Sequence, residues 1–188
     1  MGSRDFVPTS IWTISHAGTG NAVFLKPEQS AVVLPVYVSE NDIQTILVEL
    51  TRILAPRPMI HEQLLSVASA LGARFLRSEI YACRQGSYLC TMVLEKDGTE
   101  ICLDSRPSDI LCLAARTQSA VLVAEEVLMH NGIPADRVAG TPESNGDIRE
   151  PASVVSFLKR ELQTAVDHEE FERAAHLRDR LAELSRHH

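Results

Sequence analysis

The stretch Ile101-Cys-Leu-Asp104-Ser-Arg106-Pro-Ser-Asp109-Ile-Leu-Cys-Leu-Ala114 constrains this chain more than any other. An alternating apolar run ends at Asp104, and apolar residues at helical spacing begin near Pro107. A strand therefore hands over to a helix here, and two carboxylates and a guanidinium fall at the junction. Rigid elements on both sides of such a junction hold its side chains still. Polar residues crowded there form either a site or a structural clasp.

The rest of the chain fits around that junction. Alternation in residues 10–16, 22–26 and 31–38 predicts strands, and Pro35 places a bulge or an edge in the third. Ser39 caps a helix that Asp42 closes from three residues on, with Ile43, Ile46, Leu47 and Leu50 facing inward and Leu54 next in line. A second helix spans 60–71 with Leu64, Leu65, Val67, Ala68 and Leu71 inward, and Gly72 ends it. Strands at 74–83, 88–94 and 100–104 form a meander, with Lys96-Asp-Gly98 as its second turn. Helix 107–117, a strand at 120–123 and a helix at 125–130 follow, and Gly132 terminates the last. The fold class is α+β: a mixed, largely antiparallel sheet with packed helices, then a linker and a C-terminal α-helical hairpin. The boundaries are 1–133, 134–152 and 153–188, and in the hairpin Val155, Leu158, Leu162 and Ala165 form one inward apolar stripe and Phe171, Ala174, Leu177, Leu181 and Leu184 the other.

Cys83, Cys90, Cys102 and Cys112 include no C-x-x-C pair, and each has apolar neighbours. They read as buried thiols in a reducing compartment. No run is long enough to span a membrane, and Met1-Gly-Ser-Arg-Asp-Phe6 lacks the apolar segment of an export signal, so the expected location is cytoplasmic. A net charge of −7 excludes nucleic-acid binding by bulk electrostatics, leaving a local basic patch or a bridging metal.

Two motifs carry resemblances. Residues 153–185, with Phe171-Glu-Arg-Ala-Ala-His-Leu-Arg-Asp179 as their core, resemble the UVR motif, the helical hairpin through which the UvrB and UvrC repair proteins meet. That resemblance implies a protein partner, with Phe171, Arg173, Ala174, Leu177, Arg178 and Leu181 at the contact. Residues 10–133 resemble the bifunctional nuclease domain through Val33-Leu-Pro-Val-Tyr-Val38, Arg57-Pro-Met-Ile-His61-Glu62, Leu71-Gly-Ala-Arg74, Asp104-Ser-Arg-Pro-Ser-Asp109 and Val123-Ala-Glu-Glu-Val127. Ser39, Asp42-Ile43 and Glu62 depart from that family's usual residues. The resemblance implies cleavage of DNA and RNA and a homodimer.

Phosphodiester hydrolysis commonly uses a metal to activate water, and hard cations such as Mg or Mn take carboxylate oxygens. Asp104 and Asp109 are the candidate metal ligands, with Glu62, Glu125 or Glu126 as a third. His61 is the candidate acid or base and Arg106 the candidate phosphate clamp. The plainer reading of each stands beside these. Asp109 caps its helix, Arg106 pairs with Asp104 or Asp109, His61 and Glu62 are helix-start residues, and the basic residues of the tail alternate with acids on a solvated face. A metal-dependent nuclease tethered to a repair or quality-control partner is the first functional expectation. A non-catalytic dimeric adaptor is the second, and a nucleotide or small-molecule sensor the third.

Overall fold

The computed structural model describes residues 5–17, 20–51, 57–139 and 152–186. The chain runs β1 (Phe6–Ala17), β2 (Gly20–Pro27), β3 (Val32–Val38), α1 (Glu40–Thr51), α2 (Ile60–Ala70), β4 (Arg74–Arg84), β5 (Ser87–Lys96), β6 (Thr99–Ser105), α3 (Pro107–Thr117), β7 (Val121–Ala124), α4 (Glu125–Asn131), β8 (Ile133–Pro134), α5 (Ala135–Ala139), α6 (Ala152–Asp167) and α7 (Phe171–Arg186). The strands form one sheet in the order β6-β5-β4-β7-β1-β2-β3-β8. Among the described residues only β4 and β7 pair in parallel. The architecture is α+β, with two helices after the linker region.

Local chemistry explains most of the boundaries. At α1 the Ser39 hydroxyl accepts the Asp42 backbone N–H at 3.2 Å, and the Asp42 carboxylate accepts from both the Ser39 N–H and hydroxyl at 3.2 and 2.7 Å. This is a reciprocal capping box. At the β5–β6 turn Asp97 and Gly98 both have positive φ, 52° and 77°, as a two-residue hairpin of this type demands. Pro35 takes the edge position expected of it. β8 pairs only with Val32 and Val33, so beyond them that side of β3 needs no donor. Gly132 is required for space, because a Cβ there would collide with the Val32 side chain and the Leu128 carbonyl.

The main core lies between the sheet and helices α1 and α3. Val23, Leu25, Leu34, Val36, Ile43, Ile46, Ile80, Ile110 and Leu111 are fully buried in it. A smaller cluster of Ala68, Met92, Leu94 and Leu113 holds α2 against α3, β4 and β5. On the opposite face, Val138 of α5 packs on Ala22, Phe24 and Val33. Regular structure thus continues past residue 133, to Ala139.

Three details differ from the sequence reading. Of the apolar residues expected to face inward in α2, only Leu65 and Ala68 do so. Leu64, Val67 and Leu71 are 38%, 56% and 65% exposed, and with Ile60 they form a solvent-facing apolar stripe. Helical spacing finds two adjacent apolar stripes on this helix and does not say which one meets the sheet. Cys102 is exposed, because β6 is an edge strand whose outer face carries no helix. Phe171, expected inside the hairpin, is 70% exposed at the start of α7.

The hairpin itself is packed as its stripes predict. Leu158, Ala165, Ala174 and Leu177 are buried in one cluster with α1 and the sheet, and α6 touches α1. Leu54 and Gly140-to-Pro151 of the linker lie outside the described residues, as do residues 1–4.

Candidate functional site

The site forms where the starts of α2 and α3 meet the end of β6. Pro107 occupies the first turn of α3, where its missing N–H costs nothing. Arg106 sits at the cap position with an extended backbone and supplies no side-chain cap. Instead its guanidinium donates two parallel hydrogen bonds to the Asp109 carboxylate, both 3.0 Å long. His61, in the first turn of α2, is 8% exposed. Its Nε2 lies 3.6 Å from Asp109 Oδ1, so Asp109 stands between an arginine and an imidazole. The Arg106 hydrogen bonds hold the Asp109 carboxyl below the usual carboxylate range, against the opposing effect of burial.

These groups border a cavity of 720 Å³. Asp104, Arg106, Asp109 and His61 line it together with Leu64, Val67, Tyr88, Met92 and Leu113. Its walls are mostly apolar, with the charges gathered at one end. That composition is typical of a site for an organic ligand with a polar head. Tyr88 turns its hydroxyl away to donate to the Pro35 carbonyl at 3.1 Å, and burial pushes its ionisation up to about 12. Cys90 and Cys112 are also pushed up to about 12 by burial, so neither thiol serves as a nucleophile near neutrality.

Asp104 is placed differently from Asp109. Thr91 opposes Asp104 in the β5–β6 ladder, and Met92 opposes Leu103. Met92 faces the helices, so alternation places the Asp104 position opposite in pleat to Leu103, at the end of the edge strand. Asp104 and Asp109 line the same cavity. Both Asp109 oxygens are engaged by Arg106. Among the described residues no three histidine, cysteine or carboxylate side chains gather as a metal cluster does. The Asp104 and Asp109 set does not fit a divalent ion in this arrangement.

Glu62 points away from the cavity and forms an ion pair with Arg116, Nη2 to Oε1 at 2.5 Å. Arg116, from the last turn of α3, also donates from Nη1 to Glu49 at 3.3 Å. The Glu125 and Glu126 carboxylates are exposed in the first turn of α4, as a favourable dipole position predicts.

Residues 23–136 match the bifunctional nuclease domain. The chain belongs to the bifunctional nuclease domain family. It carries a UvrB/uvrC motif at residues 152–186. Bifunctional nuclease 1 of Oryza sativa subsp. japonica is 29% identical over 117 residues, covering 60% of this chain and 35% of the rice protein. Bifunctional nuclease 2 of Arabidopsis thaliana is 24% identical over 182 residues, covering 87% and 55% respectively. An uncharacterized protein of Mycobacterium tuberculosis is 25% identical over 100 residues, 53% of this chain and 59% of that one. The match thus spans between about a third and three-fifths of these relatives' lengths.

Within the bifunctional nuclease domain, the sequence identified the charged end of the cavity and missed its apolar wall and the pair Glu49–Arg116. Glu49 follows Ile46 by three residues, beside the inward stripe of α1. A carboxylate in that position, with Arg116 in the last turn of another inward-facing helix, was the available signal. In the UvrB/uvrC motif, Ala174 and Leu177 are buried and support the hairpin. Arg173 pairs with Glu170 at 2.8 Å, and Leu181 is half-buried against the core. Phe171 and Arg178 face outward. No helix among the described residues is long and apolar enough to cross a membrane.

Proposed function

We propose that this bifunctional nuclease domain hydrolyses phosphodiester bonds of DNA or RNA at the cavity bordered by His61, Arg106 and Asp109. The observation that carries the reading is the meeting of these three side chains, from two separate helix starts, at the charged end of one apolar cavity. The names of the plant relatives, both bifunctional nucleases, support the reaction class.

Arg106 is the phosphate clamp. Its fork keeps N–H groups beyond those given to Asp109, and non-bridging phosphate oxygens accept them. Asp109 holds that fork in place. His61 takes a proton from the attacking water or returns one to the leaving oxygen. The wall of Leu64, Val67, Tyr88, Met92 and Leu113 suits an unstacked base, which favours single strands over duplexes. A chelator arm of the assay tests dependence on Mg or Mn.

Two partners belong to this reading. A second copy of the chain covers the apolar stripe of Ile60, Leu64, Val67 and Leu71, making a homodimer in which the cavity wall is completed. A repair or quality-control protein meets the hairpin at Phe171 and Val166, the exposed apolar residues flanking its turn. The adaptor reading is favoured by one specific observation, the closure of Arg106 on Asp109.

Cleavage of labelled single- and double-stranded DNA and RNA, with and without chelator, separates the two. The wild type is expected to cut single strands faster, and His61→Ala, Asp104→Asn and Asp109→Asn are assayed beside it. A wild-type protein inert on all four substrates is the adaptor. Activity surviving both His61→Ala and Asp109→Asn places the chemistry elsewhere.

A further inference from the structure

Asp104 is a charged group at the cavity that the proposed reaction leaves unused. It is exposed at the end of β6 and lines the cavity together with Arg106 and Asp109. Its polar neighbours on the cavity wall are engaged. Gln63, Tyr88 and Ser105 donate to the backbone carbonyls of Pro58, Pro35 and Leu103, at 3.4, 3.1 and 3.1 Å. Arg106 donates to Asp109, and Asp109 also faces His61. Asp104 has no hydrogen bond or ion pair with any other described residue. An ionised carboxylate only accepts, so what it lacks is a donor.

The backbone sets where that donor belongs. β6 runs to Ser105, and Arg106 stays extended at φ −74° and ψ 153°. Asp104 and Arg106 are therefore two steps apart on one extended segment, and alternation puts them on the same side of it. Two such steps span about 6–7 Å. A nucleotide has a separation of the same order between its 5′ phosphate and its sugar hydroxyls. The apolar wall of Leu64, Val67, Met92 and Leu113 takes the base, which leaves a sugar hydroxyl as the donor nearest the clamp. A cavity of 720 Å³ suits one nucleotide.

We propose that Asp104 is a specificity-determining residue: it accepts a hydrogen bond from the ribose 2′-hydroxyl of the nucleotide whose phosphate Arg106 holds, and makes the cavity a ribonucleotide site. That hydroxyl is the group by which a protein tells RNA from DNA. Deoxyribose leaves the carboxylate desolvated and unpaired, and an unmade hydrogen bond of this kind discriminates more strongly than a made one attracts. The carboxylate also repels the phosphate, so without a donor its place beside the clamp weakens binding. This inference deepens the proposed nuclease site, and it rests on that reading only for its consequence in cleavage.

The test is calorimetric titration of the full chain, into the millimolar range, with AMP, 2′-deoxy-AMP and purine riboside 5′-monophosphate. The wild type is expected to bind AMP about tenfold more tightly than 2′-deoxy-AMP. Purine riboside 5′-monophosphate, which lacks the exocyclic amine, binds like AMP. In Asp104→Ala the ribose preference falls below about twofold, with the loss falling on AMP. Asp104→Asn keeps an acceptor oxygen without the charge and is intermediate. In cleavage, Asp104→Ala lowers the ratio of kcat/KM on single-stranded RNA to that on single-stranded DNA by a similar factor. A wild type that shows no saturable AMP binding, that binds the two sugars equally, or whose preference follows the amine overturns the inference, whether or not any variant folds. So does the full ribose preference in either folded Asp104 variant, or an equal loss of both nucleotides. A wild type that prefers ribose but cuts nothing removes the nuclease reading and leaves the ribonucleotide site standing.

Discussion

Two helix starts in this molecule have the same aspartate and use it in opposite ways. In α1 and in α3 an Asp stands three residues after the cap position, as Asp42 and Asp109. Ser39 offers a hydroxyl that can both donate and accept, and Asp42 is absorbed into a closed local box. Arg106 offers donors only, so it cannot accept the backbone N–H of its own helix. The Asp109 N–H bonds to the Arg106 carbonyl at 3.1 Å, as an ordinary turn requires, and the carboxylate is released toward Arg106 and His61. One start is complete in itself. The other forgoes a side-chain cap and presents paired charges at the wall of a cavity. A helix start that lacks the expected cap is a better indicator of a site than the acidic residue itself.

The largest effect that can break this contrast is on cleavage. His61→Ala and Arg106→Ala are each expected to slow the initial rate on single-stranded substrate by about 100-fold or more, the usual scale for losing an acid–base or clamping group. Ser39→Ala, at the self-contained start, leaves the rate unchanged. Equal losses at both starts would make the difference one of folding only.

Stability should show the reverse order. Ser39→Ala removes the N-cap and is expected to cost about 1 kcal/mol, measured by denaturant unfolding. A loss this size matters in a domain of ordinary marginal stability. No change would mean that the box seen at α1 contributes only geometry.

The pH dependence sharpens the comparison further, because two carboxyls near the site are shifted in opposite directions. Arg106 lowers Asp109, so that group stabilises the fold above its unfolded pKa, and the contribution is lost as pH falls through its depressed folded value. The thermal midpoint of Asp109→Asn should lie below wild type at neutral pH and converge with it in strong acid. Burial raises Glu49, so the folded chain holds that proton more tightly than the unfolded chain. Its contribution declines as pH rises from the ordinary carboxylate range through the raised value. The Glu49→Gln midpoint should therefore gain on wild type over that window. Parallel midpoint curves for both variants would contradict the electrostatic assignment.

The sequence revealed a great deal of this, for identifiable reasons. Helix α3 runs from Pro107 to Thr117 as expected, because a proline and a sharp change of hydrophobic period mark its start. The β4–β5–β6 meander was legible from its turns, and the hairpin from its stripes. The unread parts are all decisions made at a distance. Which sheet face receives a helix is decided by distant contacts, and alternation alone gives two equivalent faces. Which stripe of α2 is buried depends on Met92 and Leu113, distant in sequence. Glu49 and Arg116 are 67 positions apart, and nothing local tells a buried carboxylate from a solvated one.

The finest test converts one helix start into the other. Arg106→Ser writes the α1 pattern onto α3, placing a hydroxyl acceptor three residues before Asp109. The clamp disappears, so cleavage should fall as in Arg106→Ala. Stability should move the other way. Arg106 is largely exposed, and its ion pair with Asp109 is the kind that contributes little in water. A new serine cap satisfies a helix-end N–H and frees Asp109 to close the box, so the thermal midpoint should rise by roughly 2 °C. A variant that is both less active and more stable than wild type would show stability forgone for chemistry at this junction. A variant that loses both would mean that Arg106 is a clasp, and that the second helix start is as structural as the first.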